Sequence, residues 1–173
     1  MGCVQSEPDT ILILGIGSAG KTTILFRLKT GQVQSTQPTV GFVAENIEIG
    51  GKEYLFWDLG GQDKMRPLWK HYFEGSSGVI FVVDSADTSN FQTAKEEIHE
   101  VAHAAQLRKV PIAVFANKQD IEGAANAERI ASILELPLIG KDRCEIFETS
   151  ALTGQGLDDG MKWLSAAIET SRK

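Results

Sequence analysis

Short, uniformly apolar runs alternate along this chain with longer stretches in which apolar residues recur every three or four positions. Val79 to Val83 and Ile112 to Ala116 carry no polar residue on either face, as strands buried on both sides require. Thr10 to Leu14 is short, apolar and β-branched, and Cys144 to Phe147 reads as a last strand. Phe42 to Ile49 and Glu53 to Trp57 flank Gly50-Gly51, a hairpin signal that predicts one antiparallel pair. Helical spacing predicts a helix from Thr22 to Lys29 and marks one face through Phe91, Ala94, Ile98, Val101, Ala102 and Ala105. A shorter helix is marked by Ile130, Ile133 and Leu134, and a C-terminal one by Met161, Trp163, Leu164, Ala167 and Ile168. The alternation predicts an α/β fold: a six-stranded mixed sheet with one antiparallel edge strand, flanked by about five helices. Residues 10–173 are expected to form one domain, preceded by a flexible segment over residues 1–9.

Composition narrows the function classes. The chain has 173 residues and a formal net charge of -6, which gives little support for a broad attraction to nucleic-acid phosphates. The apolar runs fall far short of the roughly 18 residues that span a bilayer. Glu7, Pro8 and Asp9 stand where a signal peptide would be basic and then apolar. The two cysteines, Cys3 and Cys144, are too far apart in sequence to suggest a disulfide framework or a zinc site. A cytoplasmic monomer that does not bind nucleic acid is expected.

The first chemistry-bearing motif is Gly15-Ile16-Gly17-Ser18-Ala19-Gly20-Lys21-Thr22, which fits G-x-x-x-x-G-K-[ST] between a predicted strand and a predicted helix. Its backbone N–H groups can converge on an anion at the helix N-terminus, where the dipole adds about half a positive charge. Gly15, Gly17, Ser18, Ala19, Gly20, Lys21, Thr22 and Thr23 are therefore candidate nucleotide-binding residues, with Lys21 reaching the β and γ phosphates and the Thr22 hydroxyl ligating Mg²⁺. Asp58 follows an apolar strand and heads Asp58-Leu59-Gly60-Gly61-Gln62. Alone, such a carboxylate is more often a cap. Beside a phosphate loop it can hold the magnesium shell through water, Gly60 and Gly61 can let the backbone approach a γ phosphate, and Gln62 can orient a water for attack.

Asn117-Lys118-Gln119-Asp120 sits directly after a predicted buried strand. A carboxylate at Asp120 can accept from the N1–H and exocyclic amine of guanine, a donor pair adenine lacks. Asn117 can serve the N7/O6 edge and hold the loop, and Lys118 can lay its aliphatic stem over the ring. Thr149-Ser150-Ala151 follows the last strand, where a backbone N–H of Ser150 or Ala151 can meet guanine O6. His71, His99 and His103 are read as surface residues, because the i, i+4 pair lacks a third ligand or a catalytic Glu.

Together, GIGSAGKTT, PTVGF, WDLGGQDKMRPLW, FVVDSAD and FANKQD resemble the Arf and Arf-like family of small GTPases from about Ile11 to the C-terminus. The resemblance implies the P-loop small-GTPase fold and a switch that binds GTP, GDP and Mg²⁺ and hydrolyses GTP slowly, with Gln62, Lys21 and Thr39 as catalytic residues. It makes Thr39 the first-switch threonine that reaches Mg²⁺ and the attacking water. It makes Phe42, Trp57 and Tyr72 the aromatic cluster that effectors read. An exchange factor, an activating protein and GTP-state effectors are the implied partners. The chain departs from the family at Gly17, where an acidic residue is usual, and in having only nine residues before Thr10, too few for the family's amphipathic helix.

Met1-Gly2-Cys3-Val4-Gln5-Ser6 matches M-G-x-x-x-[ST] with a cysteine beside the acceptor glycine, so Gly2 can take myristate and Cys3 palmitate. Acylation would place the protein peripherally on membranes. Two other classes stand beside the switch: a scaffold locked on its nucleotide, against which Gln62 and Thr39 argue, and a metabolic P-loop kinase, which should bind adenine and carry a second substrate site.

Overall fold

The computed structural model describes residues 7–32 and 41–172. Within them a six-stranded sheet runs β2 (Phe42–Ile49), β3 (Lys52–Leu59), β1 (Asp9–Gly15), β4 (Gly78–Asp84), β5 (Ile112–Asn117), β6 (Cys144–Glu148) from edge to edge. Only β2 and β3 are antiparallel, joined by Gly50-Gly51 so that Ile49 pairs with Lys52. Every other neighbour is parallel, as crossover helices demand. Four α-helices cover the faces: α1 (Lys21–Thr30), α2 (Phe91–His103), α3 (Ala127–Ile133) and α4 (Leu157–Ser171). The longest of four 3₁₀ segments among the described residues is Arg66–Tyr72, with Pro67 in its first turn.

Side-chain alternation along the central strands divides the core in two. Leu12, Leu14, Val79, Phe81, Val83, Ile112 and Val114 meet α2, α3 and the 3₁₀ segment, with Trp69 standing edge-on to Phe81. Ile11, Ile13, Ile80, Val82, Ala113 and Phe115 meet α1 and α4 on the other face. Each fully buried side chain of this size is worth about 1.5–3 kcal/mol, which is why β1, β4 and β5 are the frame on which the loops hang. The Arg143 guanidinium stitches one end of this frame, donating to the carbonyls of Val110, Ala102 and Leu107 beyond and at the end of α2. Cys144 is buried, and that burial pushes its thiol up to about 12, in keeping with a small core residue.

The expected elements appear with shifted ends. β1 starts at Asp9, so the predicted flexible segment gives up a residue: its carboxylate is buried and pairs with Lys52 and Arg172. The α2 face loses Ala105, which is exposed beyond the helix end because the chain turns extended at Ala104 (φ −62°, ψ 134°). His99 is half-buried rather than fully on a solvated face, with Nε2 2.7 Å from the Leu134 carbonyl. Among the described residues no group of three potential metal-ligating side chains forms, and no helix is long and apolar enough to cross a membrane.

Candidate functional site at the carboxyl ends of the strands

Parallel register brings the chemistry to one edge. Ile13 pairs with Asp58, Gly15 with Val82, and Asp84 with Asn117, so the loops after β1, β3, β4 and β5 open side by side at the carboxyl ends, where α/β sheets bind ligands.

The loop after β1 turns into α1 through Gly20, whose φ of 101° is a left-handed conformation that favours glycine. A Cβ there would lie 2.4 Å from the Asn117 side-chain nitrogen, so the phosphate and base loops touch at this glycine. No side chain caps the helix, and its N-terminus presents backbone N–H groups to whatever anion binds. Lys21 is buried, and burial lowers its pKa while the Asp58 carboxylate opposes that shift. A phosphate near this ammonium would favour its charged form. The Thr22 hydroxyl donates to Asp58 Oδ2 at 2.5 Å, with Asp58 fully buried. A hydroxyl and a carboxylate side by side next to an anion cradle are the oxygen donors that Mg²⁺ takes alongside phosphate and water, so these residues fit that ion. Thr23 follows on the first turn of α1 and is half-buried.

The Gly60-Gly61-Gln62 stretch after β3 is docked on this loop. The Gly17 N–H donates to the Gly61 carbonyl at 3.0 Å. A Cβ on Gly61 would sit 2.3 Å from the Gly15 oxygen, 2.6 Å from the Gly17 nitrogen and 2.6 Å from Lys21 Nζ, so only glycine permits this approach. Gln62 is half-buried, and its amide oxygen is buried with no hydrogen-bond partner among the described residues. A buried amide acceptor beside a phosphate loop is suited to receive a hydrogen bond from water.

On the base side Asn117 is almost wholly buried and donates to the Ala19 carbonyl at 3.0 Å. Its oxygen accepts from the Thr149 hydroxyl and from the Ala151 N–H, both at 3.2 Å. Asn117 therefore holds the phosphate loop and the loop after β6 together. Ala151, one of the two residues whose backbone N–H is expected at guanine O6, donates that N–H to Asn117. Lys118, at a φ of 67°, donates to the Ser18 carbonyl at 2.7 Å and to Asp84 Oδ2 at 2.8 Å. The Ser150 hydroxyl donates to Asp120 Oδ1 at 2.6 Å, leaving the carboxylate at the surface and oriented.

Three further contributors have no role assigned from the sequence. Gln119 Nε2 lies within hydrogen-bond distance of Ser85 Oγ and of the Ala116 and Ala125 carbonyls, bracing the base loop. Arg27 reaches from α1 to the Leu152 and Thr153 carbonyls. The Trp69 indole donates to the Gly60 carbonyl at 2.8 Å. The aromatic trio is assembled: ring centroids are 5.1 Å apart for Phe42 and Trp57 and 5.5 Å for each pair with Tyr72, with Phe42 half exposed. Thr39, Gly2 and Cys3 lie outside the described residues.

The chain has relatives of known family and fold. The model of the ADP-ribosylation factor family matches residues 4–168. ADP-ribosylation factor 1 of Brassica rapa subsp. pekinensis and ADP-ribosylation factor 3 of Arabidopsis thaliana are each 44% identical over 160 residues, 92% of this chain and 88% of theirs. The solved structure of the Arl6 BBS3 small GTPase from Trypanosoma brucei, with the bound nucleotide analogue GppNp, superposes with a TM-score of 0.87 at 32% identity, covering 95% of this chain and 99% of that one.

Proposed function

This chain belongs to the ADP-ribosylation factor family, and from that premise we propose which of its residues work the GTP-binding, GTP-hydrolysing switch. The observation that carries the assignment is the direct coupling of the base and phosphate loops, Asn117 to the Ala19 carbonyl, in a site onto which Gly61 is docked. Asp120 selects guanine through its N1–H and exocyclic amine, and Lys118 covers the ring. Ser150 orients Asp120, and Asn117 acts by holding the loops. The loop from Gly15 to Gly20, with Lys21 and Thr23, binds the phosphates. Thr22 and Thr39, with Asp58 through water, would hold Mg²⁺, which would supply positive charge against the phosphates.

In the reaction water adds to the γ-phosphorus, the bond to the bridging oxygen breaks, and GDP and phosphate result. Gln62 orients the water through its side-chain amide, and Lys21 stabilises charge on the phosphates. The intrinsic rate is slow, on the order of 10⁻⁴ per second as for unaided GTPases of this fold, and an activating protein supplies the arginine that accelerates it. Family members work with exchange factors, activating proteins and effectors. Effectors here read Phe42, Trp57 and Tyr72, a cluster held partly open to solvent beside the 3₁₀ segment. Residues 10–173 form the nucleotide-binding domain. Gly2 and Cys3 carry two acyl chains that keep the protein on membranes in both nucleotide states, since one chain binds only marginally and two bind stably.

Competition binding tests the core of this reading: GDP and GTP displace a fluorescent guanine nucleotide in the presence of Mg²⁺ and ATP does not. Equal displacement by ATP contradicts it. In acylation-competent cells Gly2→Ala moves the protein off membranes whichever nucleotide is bound, and retention of that variant contradicts the anchor.

A further inference from the structure

Gly60 and Gly61 can contribute only backbone, so the placement of the peptide entering Gln62 depends on what binds their carbonyls. The Gly60 carbonyl is held by the Trp69 indole. The Gly61 carbonyl accepts from the Gly17 N–H and, at 3.3 Å, from Arg66 Nη1. Arg66 has two further partners: Nη2 is 2.5 Å from Asp63 Oδ1, and Nε is 3.2 Å from Glu97 Oε1.

These partners differ in kind. The Asp63 side chain is 90% exposed and lies on the same turn as Arg66, so it is an i, i+3 pair of small consequence. Glu97 belongs to α2, 21% exposed, next to the fully buried Ile98 that anchors the helix in the core. Arg66 itself is 13% exposed. A guanidinium is rigid and planar and donates from several edges at once, whereas an ammonium is a point charge. One side chain thus spans from a helix fixed in the core to the carbonyl that precedes the glutamine.

We propose that Arg66, anchored by Glu97, is a positioning residue for GTP hydrolysis: it carries the fixed position of α2 to the Gly61 carbonyl and so sets where Gln62 stands. The proposal rests on the reading of Gln62 as the water-orienting group and adds the element that holds it. Arg66 touches no reacting atom.

Single-turnover hydrolysis by the full chain, loaded with GTP and started with Mg²⁺, provides the test. Arg66→Lys keeps the positive charge facing Glu97 but cannot also hold the Gly61 carbonyl. It slows hydrolysis by about tenfold, the effect of losing one charge-assisted hydrogen bond. GDP affinity and melting temperature stay close to the parent's, which separates positioning from folding. Glu97→Gln slows the reaction by a smaller factor, and the double variant is no slower than Arg66→Lys alone, because both changes break one chain of contacts. Parent-rate hydrolysis by Arg66→Lys, effects that multiply in the double variant, or an equal fall in GDP affinity would overturn the proposal. Gln62→Leu, run alongside, separates the two layers: a fast Gln62→Leu overturns the glutamine's role, whereas a slow one beside a fast Arg66→Lys overturns only the role of Arg66.

Discussion

The two halves of the nucleotide site are built in different ways. On the base side, Asn117, Thr149 and Ser150 are buried, and their partners come from the ends of neighbouring strands and from the phosphate loop. On the γ-phosphate side, the chain after β3 leaves the sheet and is held by individual contacts: the Gly17 N–H, the Trp69 indole and the Arg66 guanidinium, each to one glycine carbonyl. Displacing the first half would disrupt strand ends whose packing stabilises the whole domain. Displacing the Gly60-Gly61-Gln62 stretch of the second, which precedes the core-packed Trp69, requires breaking a few hydrogen bonds of about 0.5–1.5 kcal/mol each. On the proposed assignment, specificity resides in the half that is costly to move, and switching in the half that a single phosphate can shift.

Three substitutions break this comparison at different strengths. The largest effect belongs to Asp120→Asn, which replaces an acceptor pair by an amide that must donate with one of its atoms. Guanine-nucleotide affinity falls about 10²–10⁴-fold and preference turns toward xanthine, measured by competition with a labelled nucleotide. Hydrolysis of the nucleotide that does bind keeps its rate, because the switch half is untouched. Next comes Gln62→Leu, which leaves guanine affinity in place and slows single-turnover hydrolysis by about a hundredfold, because leucine neither donates to nor accepts from water. The smallest is Trp69→Phe. It retains most of the packing against Phe81 but removes the donor to the Gly60 carbonyl, so denaturant unfolding of the GDP-bound protein shows a loss of about 1–2 kcal/mol with guanine selectivity unchanged. A change in base preference with Trp69→Phe would join the two halves that are here held separate.

Legibility in the sequence follows the same division. β4 and β5 were readable because both faces are buried, which leaves nothing but apolar residues between Val79 and Val83 and between Ile112 and Ala116. The place of the base loop is legible because it directly follows the uniformly apolar β5; the structure adds that Asn117 ties this loop to the phosphate loop. The contacts of Gln119 were not, since its acceptors Ser85 and Ala125 come from another strand end and from a loop, and nothing local specifies them. The 3₁₀ segment from Arg66 to Tyr72 had no period to announce it: Pro67 opens it and only Trp69 within it is buried. The sequence places Ser150 and Ala151 after a strand but not the partners of their backbone N–H groups; the Ala151 N–H donates to Asn117 Oδ1 here. Its hydrogen bond to Asn117 depends on the register of β5 against β6, which apolar patterning alone does not fix. Thr39, placed by resemblance, lies outside the described residues.

Hydrogen exchange on the full chain, compared between its GDP form and a form holding a non-hydrolysable GTP analogue with Mg²⁺, measures the division between the halves directly. The account predicts that amides across residues 60–72 gain protection with the γ-phosphate present, while those of residues 117–120 and 149–151 exchange alike in both forms. Equal changes in the two regions, or a change confined to the base loops, would contradict it.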